Sequence, residues 1–265
     1  MSENSDRTDD TWDPAQYERF REARERPVHD LLALVQPAPQ GWAVDLGCGT
    51  GRYTPLLHER VDAAETLGID SSARMLEQSA DHVRDGIRFE QRDLRDLDDL
   101  DGRWDVVFAN AALQWLPAHE VLLPSLVQQL SPGGQLAVQV PANFGHPSHT
   151  VADAIGREFG LEPLDRAIGA LSPARYAEIL WASGLRELDV TMRIYGVEMD
   201  RTDEVIDWVS GTLLTSFERR LDAARFTEFR TEYRRRLLDE LGDPDGSSPY
   251  YYAFPRILFA GRLPA

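Results

Sequence analysis

The sequence contains no lysine and only one cysteine, Cys48. A single cysteine excludes an internal disulfide framework and is typical of a reducing compartment, so we expect a cytoplasmic protein. Because Cys48 lies between two glycines, we interpret it as a small buried side chain without a reactive role. Arginine supplies every side-chain cation apart from histidine. Its planar guanidinium suits carboxylate recognition, although genomic base composition would produce the same bias.

The sequence also lacks an apolar run long enough to cross a membrane. Residues 1–11 are polar and acidic, so we predict a short disordered tail there and no secretory signal. Positive charge is scarce, because 28 arginines face 45 acidic residues and the formal net charge is −17. This excess argues against nucleic acid or an anionic membrane as a partner. Any anion site must therefore concentrate a few arginines locally.

What the sequence does contain is a glycine-rich segment between residues 42 and 52. The apolar run Trp42–Leu46 precedes it and a helical pattern follows, which is typical of a buried strand, a tight loop and a helix N-terminus. Glycine lets the backbone pass close to a ligand and adopt positive φ. The glycines stand at every second position, as Gly47, Gly49 and Gly51.

Two side chains distinguish the kinds of ligand that such a loop binds. A dinucleotide fingerprint requires a further glycine where this chain has Arg52, so a nicotinamide cofactor is disfavoured. Asp45, just before the loop, would repel a phosphate but suits a cation. The pattern therefore favours a cationic ligand over a phosphate, and a glycine-rich turn without any ligand is the alternative.

Acidic residues follow the next two predicted strands. Asp70 lies 19 positions after Gly51, where a carboxylate can accept hydrogen bonds from ribose hydroxyls. It could equally cap the segment that starts at Ser71, and the two roles are compatible. Asp93 follows a third strand, at the edge where open α/β sheets bind their ligands.

Strand and helix patterns alternate along the chain as far as residue 140. This alternation predicts an α/β fold with a parallel sheet and right-handed crossovers. Helical patterns between residues 200 and 249 precede a last strand predicted from Phe254 to Leu263. We therefore predict a core formed by residues 12–199 and 250–265, with residues 200–249 as a helical cap.

Two further segments have an open interpretation. Residues 143–170 are polar and are predicted to form a lid; His146 and His149 within them lack further metal ligands, so no metal site is predicted. The first predicted helix, over residues 12–35, carries Tyr17 and Phe20 on one face. It is either an ordinary amphipathic helix or one whose aromatic side chain closes over a ligand, and the sequence leaves both possibilities open.

With these residues in view, the chain resembles the class I S-adenosylmethionine-dependent methyltransferases over roughly residues 10–263. The resemblance implies a Rossmann-like, seven-stranded sheet with the last strand antiparallel and helices on both faces. It also implies S-adenosyl-L-methionine as cofactor. The segments that carry the resemblance are residues 44–51, 68–70, 93–94 and 132–134.

The resemblance implies a role for each cofactor-binding residue. The glycine loop would contact the methionine part, Asp70 the ribose hydroxyls, and Asp93 the adenine edge. An aromatic side chain near the sulfonium would add a cation–π contact. The residues so implied are Tyr17, Asp45, Gly47, Gly49, Gly51, Asp70, Ser71, Met75, Asp93, Leu94, Asn110 and Trp115.

A second set of segments is similar to methyltransferases that esterify a small tricarboxylate; these are residues 108–117, 137–141, 206–209 and 253–256. The implied nucleophile is a carboxylate, which is ionised at neutral pH, so no general base and no catalytic residue is assigned. The implied substrate-binding residues are Asn143, His146, Trp208, Tyr252 and Arg256, with Arg24 as a further candidate.

Alternatives remain at this stage. Arg256 could be an ordinary strand residue that points outward. The same fold could methylate another small acid or a hydroxyl group, since glycine-loop motifs say nothing about the acceptor. The chain could also be a non-catalytic module that binds S-adenosylmethionine.

Overall fold

A computed structural model describes residues 14–95, 103–162 and 170–265, with side chains from residue 20 onward. The tail predicted over residues 1–11 and the side chain of Tyr17 lie outside the described residues. No helix within the described ranges is long and apolar enough to span a bilayer.

In the described part of the chain, seven strands form one sheet in the order β3-β2-β1-β4-β5-β7-β6. The first five strands are parallel, whereas β7 is antiparallel to both of its neighbours. The predicted mostly parallel, seven-stranded α/β fold is therefore confirmed. The strands are β1 (Trp42–Leu46), β2 (Glu65–Asp70), β3 (Ile87–Gln91), β4 (Trp104–Asn110), β5 (Leu130–Pro141), β6 (Arg186–Met199) and β7 (Tyr250–Arg262).

The last strand begins earlier than its predicted start at Phe254. Tyr250 already pairs with Met199 and Tyr252 with Val197, so the tyrosine run belongs to β7. Three aromatic residues in a row can serve as strand residues when a neighbouring strand extends alongside them. Here β6 supplies that neighbour.

Helices cover both faces of the sheet. Alternate residues of β4 enter opposite apolar clusters, Val106 and Phe108 on one face and Val107 and Ala109 on the other. The described helices are α1 (Pro14–Leu34), α2 (Thr54–Val61), α3 (Ala73–Leu76), α4 (His119–Gln128), α5 (Pro147–Glu158), α6 (Pro173–Ala182), α7 (Glu204–Val209), α8 (Thr215–Glu218) and α9 (Ala223–Glu240).

The two faces carry different helices. On the first face, α1 and α2 pack together with the helices that lie between β6 and β7. On the second face, α4 and α6 bury residues such as Leu126 and Tyr176, whose ring stacks on Phe259 at 4.6 Å between centroids. The first face is the one that bears the candidate site.

The segment between β6 and β7, which was predicted to form the cap, contains α7, α8 and α9. Its long helix α9 buries Phe229 and Tyr233, and the Tyr233 hydroxyl donates to the Ser148 carbonyl at 2.9 Å. The Phe229 ring lies 5.7 Å from Phe159 and 4.7 Å from Phe217. Part of the segment predicted to be a lid is thus helix α5, which is held against α9.

Removing the central ring of this cluster should destabilise the cap. We expect Phe229→Ala to lower the free energy of unfolding by about 3–5 kcal/mol, because a large cavity replaces a fully buried ring. Urea denaturation measures the change. The exposed neighbour Glu228→Ala should stay within about 0.5 kcal/mol of wild type. Equal effects at both positions would contradict this account of the packing.

Candidate active site

The glycine loop after β1 has a backbone that only glycine adopts without strain. Gly47, Gly49 and Gly51 have φ angles of 69°, 59° and 74°. Close contacts also exclude a side chain, because a Cβ on Gly47 would lie 2.4 Å from the Cβ of Ala112. The loop is tied to β2, since the amides of Gly47 and Cys48 both donate to the Ile69 carbonyl, at 2.8 and 2.9 Å.

Asp70, at the carboxyl end of β2, faces this loop. One carboxylate oxygen accepts the Gly49 amide at 2.9 Å and the other accepts the Ser72 amide at 2.8 Å. The N-cap of the next helix is Ser72, whose hydroxyl accepts the Met75 amide. Asp70 therefore fixes the loop, and each of its oxygens keeps a lone pair for a ligand. The neighbouring Ser71 is exposed.

Asp45 is buried beneath the loop. Its carboxylate accepts a hydrogen bond from the Thr54 hydroxyl at 2.6 Å, at the start of α2. Burial raises the pKa of Asp45 to about 6, the Thr54 bond opposes the rise, and the charge of Asp70 adds to it. An acid in this state would gain from a nearby cation.

The other predicted cofactor-binding residues lie around the loop. Met75 is exposed, and its methyl group would be 3.5 Å from a Cβ on Gly49. The Leu94 side chain also lies beside the loop, since its Cδ1 would be 3.6 Å from a Cβ on Gly47. Asp93 is engaged by Arg95, whose guanidinium lowers the pKa of Asp93 to about 2. The Asp93 carboxylate thus already has a partner within the protein.

A cavity of about 360 Å³ opens beyond the ends of β4 and β5. Helix α1 contributes Arg24 and Pro27, while Val209 comes from the cap. The cavity brings together two residues predicted for the cofactor and four predicted for the substrate, namely Asn110, Trp115, Asn143, Trp208, Tyr252 and Arg256.

Arg256 supplies a partly buried positive charge to this cavity. Its guanidinium donates to Asn143 Oδ1 at 2.8 Å and to the Pro255 carbonyl at 3.2 Å. Burial lowers the pKa of Arg256 to about 10, so the group stays protonated at neutral pH. Among the described residues, no carboxylate lies within ion-pair distance of it. The alternative of an outward-pointing strand residue is therefore wrong.

His146 is placed differently from the other predicted substrate-binding residues. It caps α5, where Nδ1 accepts the Ser148 amide at 3.1 Å, and Nε2 lies 3.0 Å from the Tyr250 hydroxyl. Burial lowers its pKa to about 4, so it is neutral at pH 7. His146 does not line the cavity, whereas His149 does. No cluster of potential metal ligands occurs in the described ranges.

The first helix packs on the core, as one of the two interpretations of the sequence predicted; an aromatic side chain that closes over a ligand stays a prediction, because the side chain of Tyr17 is not described. Phe20 is buried and packs edge-on against Trp208, with 5.3 Å between ring centroids. One turn further, the Arg24 guanidinium lies 4.5 Å from the Trp208 ring centroid and donates to the Trp208 carbonyl at 2.6 Å. Helix α1 thus packs on the core and also forms one wall of the cavity.

Sequence reasoning missed two glutamines in the cavity wall. Gln139 is only 1% exposed, and its amide nitrogen has no hydrogen-bond partner in the described structure. The side-chain oxygens of Gln114 and Asn110 are buried and unpartnered in the same way. A signal was available for Gln139, since a glutamine within the apolar run of β5 is unusual in a strand buried on both faces.

Residues 43–134 match the family model of the methyltransferase domain. The structure is similar to YcgJ from Bacillus subtilis, with a TM-score of 0.62 and 14% identity over 91% of this chain and 99% of that one. It is also similar to phosphoethanolamine N-methyltransferase 2 from Haemonchus contortus, solved with S-adenosyl-L-methionine. That match has a TM-score of 0.52 and 13% identity over 94% of this chain and 53% of that one. These structural neighbours show a shared fold, and the family model identifies residues 43–134 as a methyltransferase domain.

Full-length relatives define the family within that class. The chain is 41% identical to the trans-aconitate 2-methyltransferase of Deinococcus radiodurans over 96% of its own length and 99% of the relative. It is 36% identical to the enzyme of the same name from Escherichia coli O1:K1, over 95% and 98%. The chain belongs to the trans-aconitate 2-methyltransferase family. The family predicted from the sequence is thereby confirmed.

The raised pKa of Asp45 gives a pH-dependent stability. Because the folded-state pKa is about 6 against an ordinary value of 3.8, protonated Asp45 favours the fold at pH 3.8 and below. This contribution disappears as the pH rises through 6. The free energy of unfolding of Asp45→Asn should therefore equal that of wild type near pH 4 and exceed it by about 3 kcal/mol at pH 8.

Chemical denaturation of the ligand-free protein at several pH values measures this difference. Thr54→Val removes the hydrogen bond that favours the Asp45 carboxylate, so it should move the pH dependence to higher pH. A stability difference between Asp45→Asn and wild type that does not change between pH 4 and 8 would contradict the assignment.

Proposed function

We propose that this chain transfers the methyl group of S-adenosylmethionine to a carboxylate of trans-aconitate. The products are the monomethyl ester and S-adenosylhomocysteine. The observation that carries the acceptor assignment is the partly buried guanidinium of Arg256, which faces a cavity and has no carboxylate partner among the described residues. A polycarboxylate would supply that partner.

The donor half of the site suits S-adenosylmethionine. The glycine loop leaves no room for a side chain at Gly47 or Gly51, and Asp70 retains acceptor capacity for two hydroxyl groups. The buried acid Asp45 would be stabilised by a cationic ligand. When bound, S-adenosylmethionine supplies a methyl group activated by a sulfonium. We infer that the loop, Asp70, Met75 and Leu94 hold it.

The acceptor half needs no proton transfer. A carboxylic acid with pKa near 4 is ionised at neutral pH, so no general base is required. An electron pair of the carboxylate oxygen forms the new bond to the methyl carbon, and the methyl–sulfur bond breaks with its electron pair left on sulfur. No proton moves, so the scheme gives no role to His146, which lies outside the cavity and is occupied by its contact with Tyr250.

Catalysis in this scheme comes from alignment and from a dry site. Fixing two reactants in line can supply about 7–11 kcal/mol in favourable cases. Arg256 binds a carboxylate that does not react, and the Trp208 side chain helps to exclude water from the cavity. Trp208 belongs to the cap, so we infer that residues 200–249 complete the acceptor site of the core.

Partners and location follow from charge and size. The net charge of −17 is unfavourable for nucleic acid, and the cavity of about 360 Å³ admits a small molecule. We infer that the partners are small molecules and that the protein works in the cytoplasm, where its single cysteine stays reduced.

Incubation of the protein with labelled S-adenosylmethionine and trans-aconitate should give a labelled monomethyl ester, detected by mass spectrometry. The same assay with other small acids and hydroxyl compounds tests the acceptor. An ester of a different acid would replace trans-aconitate as substrate, and cofactor binding with no product from any acceptor would identify a binding module instead.

Arg256→Met should raise the KM for trans-aconitate by about 10- to 100-fold, since a hydrogen bond to a charged group contributes about 1.5–3 kcal/mol. The Kd for S-adenosylmethionine should stay the same, because Arg256 lies on β7, away from the glycine loop. Steady-state kinetics and calorimetry measure the two quantities.

Arg262→Met is the matched control. Arg262 lies on the same strand, but its guanidinium donates to the Gly133 carbonyl and does not face the cavity. Arg262→Met should leave the KM for trans-aconitate and the Kd for S-adenosylmethionine unchanged. An unaltered KM in Arg256→Met would remove Arg256 from the acceptor site.

A further inference from the structure

Gln139 lies between the donor half of the site and Arg256. On β5 it is in register with Asn110 of β4 and with Leu258 of β7. Arg256 is two residues from Leu258, so both side chains are on the same face of the sheet. Along the sheet order β1-β4-β5-β7, the neutral amide is therefore one strand nearer to the glycine loop than the guanidinium.

The amide of Gln139 is unusual because it is buried without a partner. Its residue is 1% exposed, yet Nε2 donates to no acceptor in the described structure and Gln139 lines the cavity. An unsatisfied buried donor is unfavourable, and most native donors in such positions are paired. A ligand oxygen in the cavity would satisfy it.

We propose that Gln139 orients the reacting carboxylate by donating from Nε2 to the oxygen that does not attack, while Arg256 binds a second carboxylate of the same acid. This inference rests on the proposed function. A neutral donor holds the nucleophile without neutralising its charge. A guanidinium at the same place would form a stronger, charge-assisted bond and lower the reactivity of the attacking oxygen.

The arrangement also defines the class of acceptor. Gln139 and Arg256 are diagonal neighbours on adjacent antiparallel strands, and the backbones of such residues are about 7–8 Å apart. The site therefore favours a small acid with at least two carboxylates, the nearer of which is methylated. A monocarboxylate would keep the contact with Gln139 and lose the one with Arg256.

The test compares Gln139→Met and Gln139→Glu with wild type. Methionine has a similar length and no donor, whereas glutamate places a like charge beside the reacting carboxylate. Gln135→Met is the matched control, because Gln135 is on the same strand but its amide is paired with the Gln36 backbone, at 2.7 and 2.8 Å.

Three measurements are made on each protein. Turnover of trans-aconitate gives kcat and KM. Calorimetry in the presence of S-adenosylhomocysteine gives the Kd of trans-aconitate and of the monocarboxylate crotonate. Thermal unfolding of the ligand-free protein gives Tm.

For Gln139→Met we expect kcat/KM to fall by about 10- to 100-fold, in line with a lost hydrogen bond to a charged group. Both acids should bind more weakly, the Kd of S-adenosylhomocysteine should not change, and Tm should not fall.

Gln139→Glu should lose more activity than Gln139→Met. Gln135→Met should lower Tm and leave acceptor binding intact. Arg256→Met, in contrast, should weaken the binding of trans-aconitate and leave the Kd of crotonate unchanged.

Two results would overturn the inference. One is unchanged kcat/KM and acid binding in both Gln139 variants. The other is a fall in Tm that accounts for the whole loss of activity, which indicates a structural role only. If the wild type binds trans-aconitate and forms no ester, the proposed function fails, and calorimetry still decides whether Gln139 contacts the acid. If no acid binds the wild type, both proposals fail.

Discussion

The acceptor site depends on one positive charge that is partly withdrawn from water, the guanidinium of Arg256. Removing an ion from water costs several kcal/mol in a protein, and the described partners of Arg256 are all neutral: the Asn143 side chain, a backbone carbonyl and the Phe254 ring, whose centroid lies 5.2 Å from the guanidinium carbon. Asn143 is held in turn by the Tyr252 hydroxyl at 3.4 Å, which also lies 3.4 Å from the Ser148 hydroxyl on α5. These contacts hold the guanidinium in a fixed position at the wall of the cavity.

The half of the site that would bind the methyl donor carries negative charge that is likewise withdrawn from water. Asp45 is buried with a raised pKa, and Asp70 adds a second acid beside the glycine loop. A cationic methyl donor and an anionic acceptor would each relieve the unfavourable burial of the group nearest to them. Because the acids lie at β1 and β2 and the guanidinium at β7, the sheet itself separates the two charges and sets the direction in which the ligands align.

The sequence was sufficient for the fold and for the kind of cofactor, because the features that indicate them are local. Spacing of glycines and the acid at the end of β2 depend on neighbours a few residues away, and the loop geometry follows from them. The acceptor half joins residues more than 100 positions apart, as in the contact of Arg256 with Asn143. Periodicity cannot show which way Arg256 points, that His146 is turned toward Tyr250, or that Gln139 is left without a partner.

Much of the chain follows the ordinary rules of helix capping and core packing. Ser72 and Ser172 are the N-caps of their helices, and Phe229 stacks on Phe217 between the helices that precede β7. Of the buried polar side-chain atoms without partners in the described structure, those of Asn110, Gln114 and Gln139 lie together at the ends of β4 and β5, and those of Glu25, Trp104 and Thr191 lie outside the cavity. A consistent fold tolerates such departures where function requires them. Ligands that pair these atoms bind only the folded state and so stabilise it. The site is thus built for selectivity, at the expense of the stability of the empty protein.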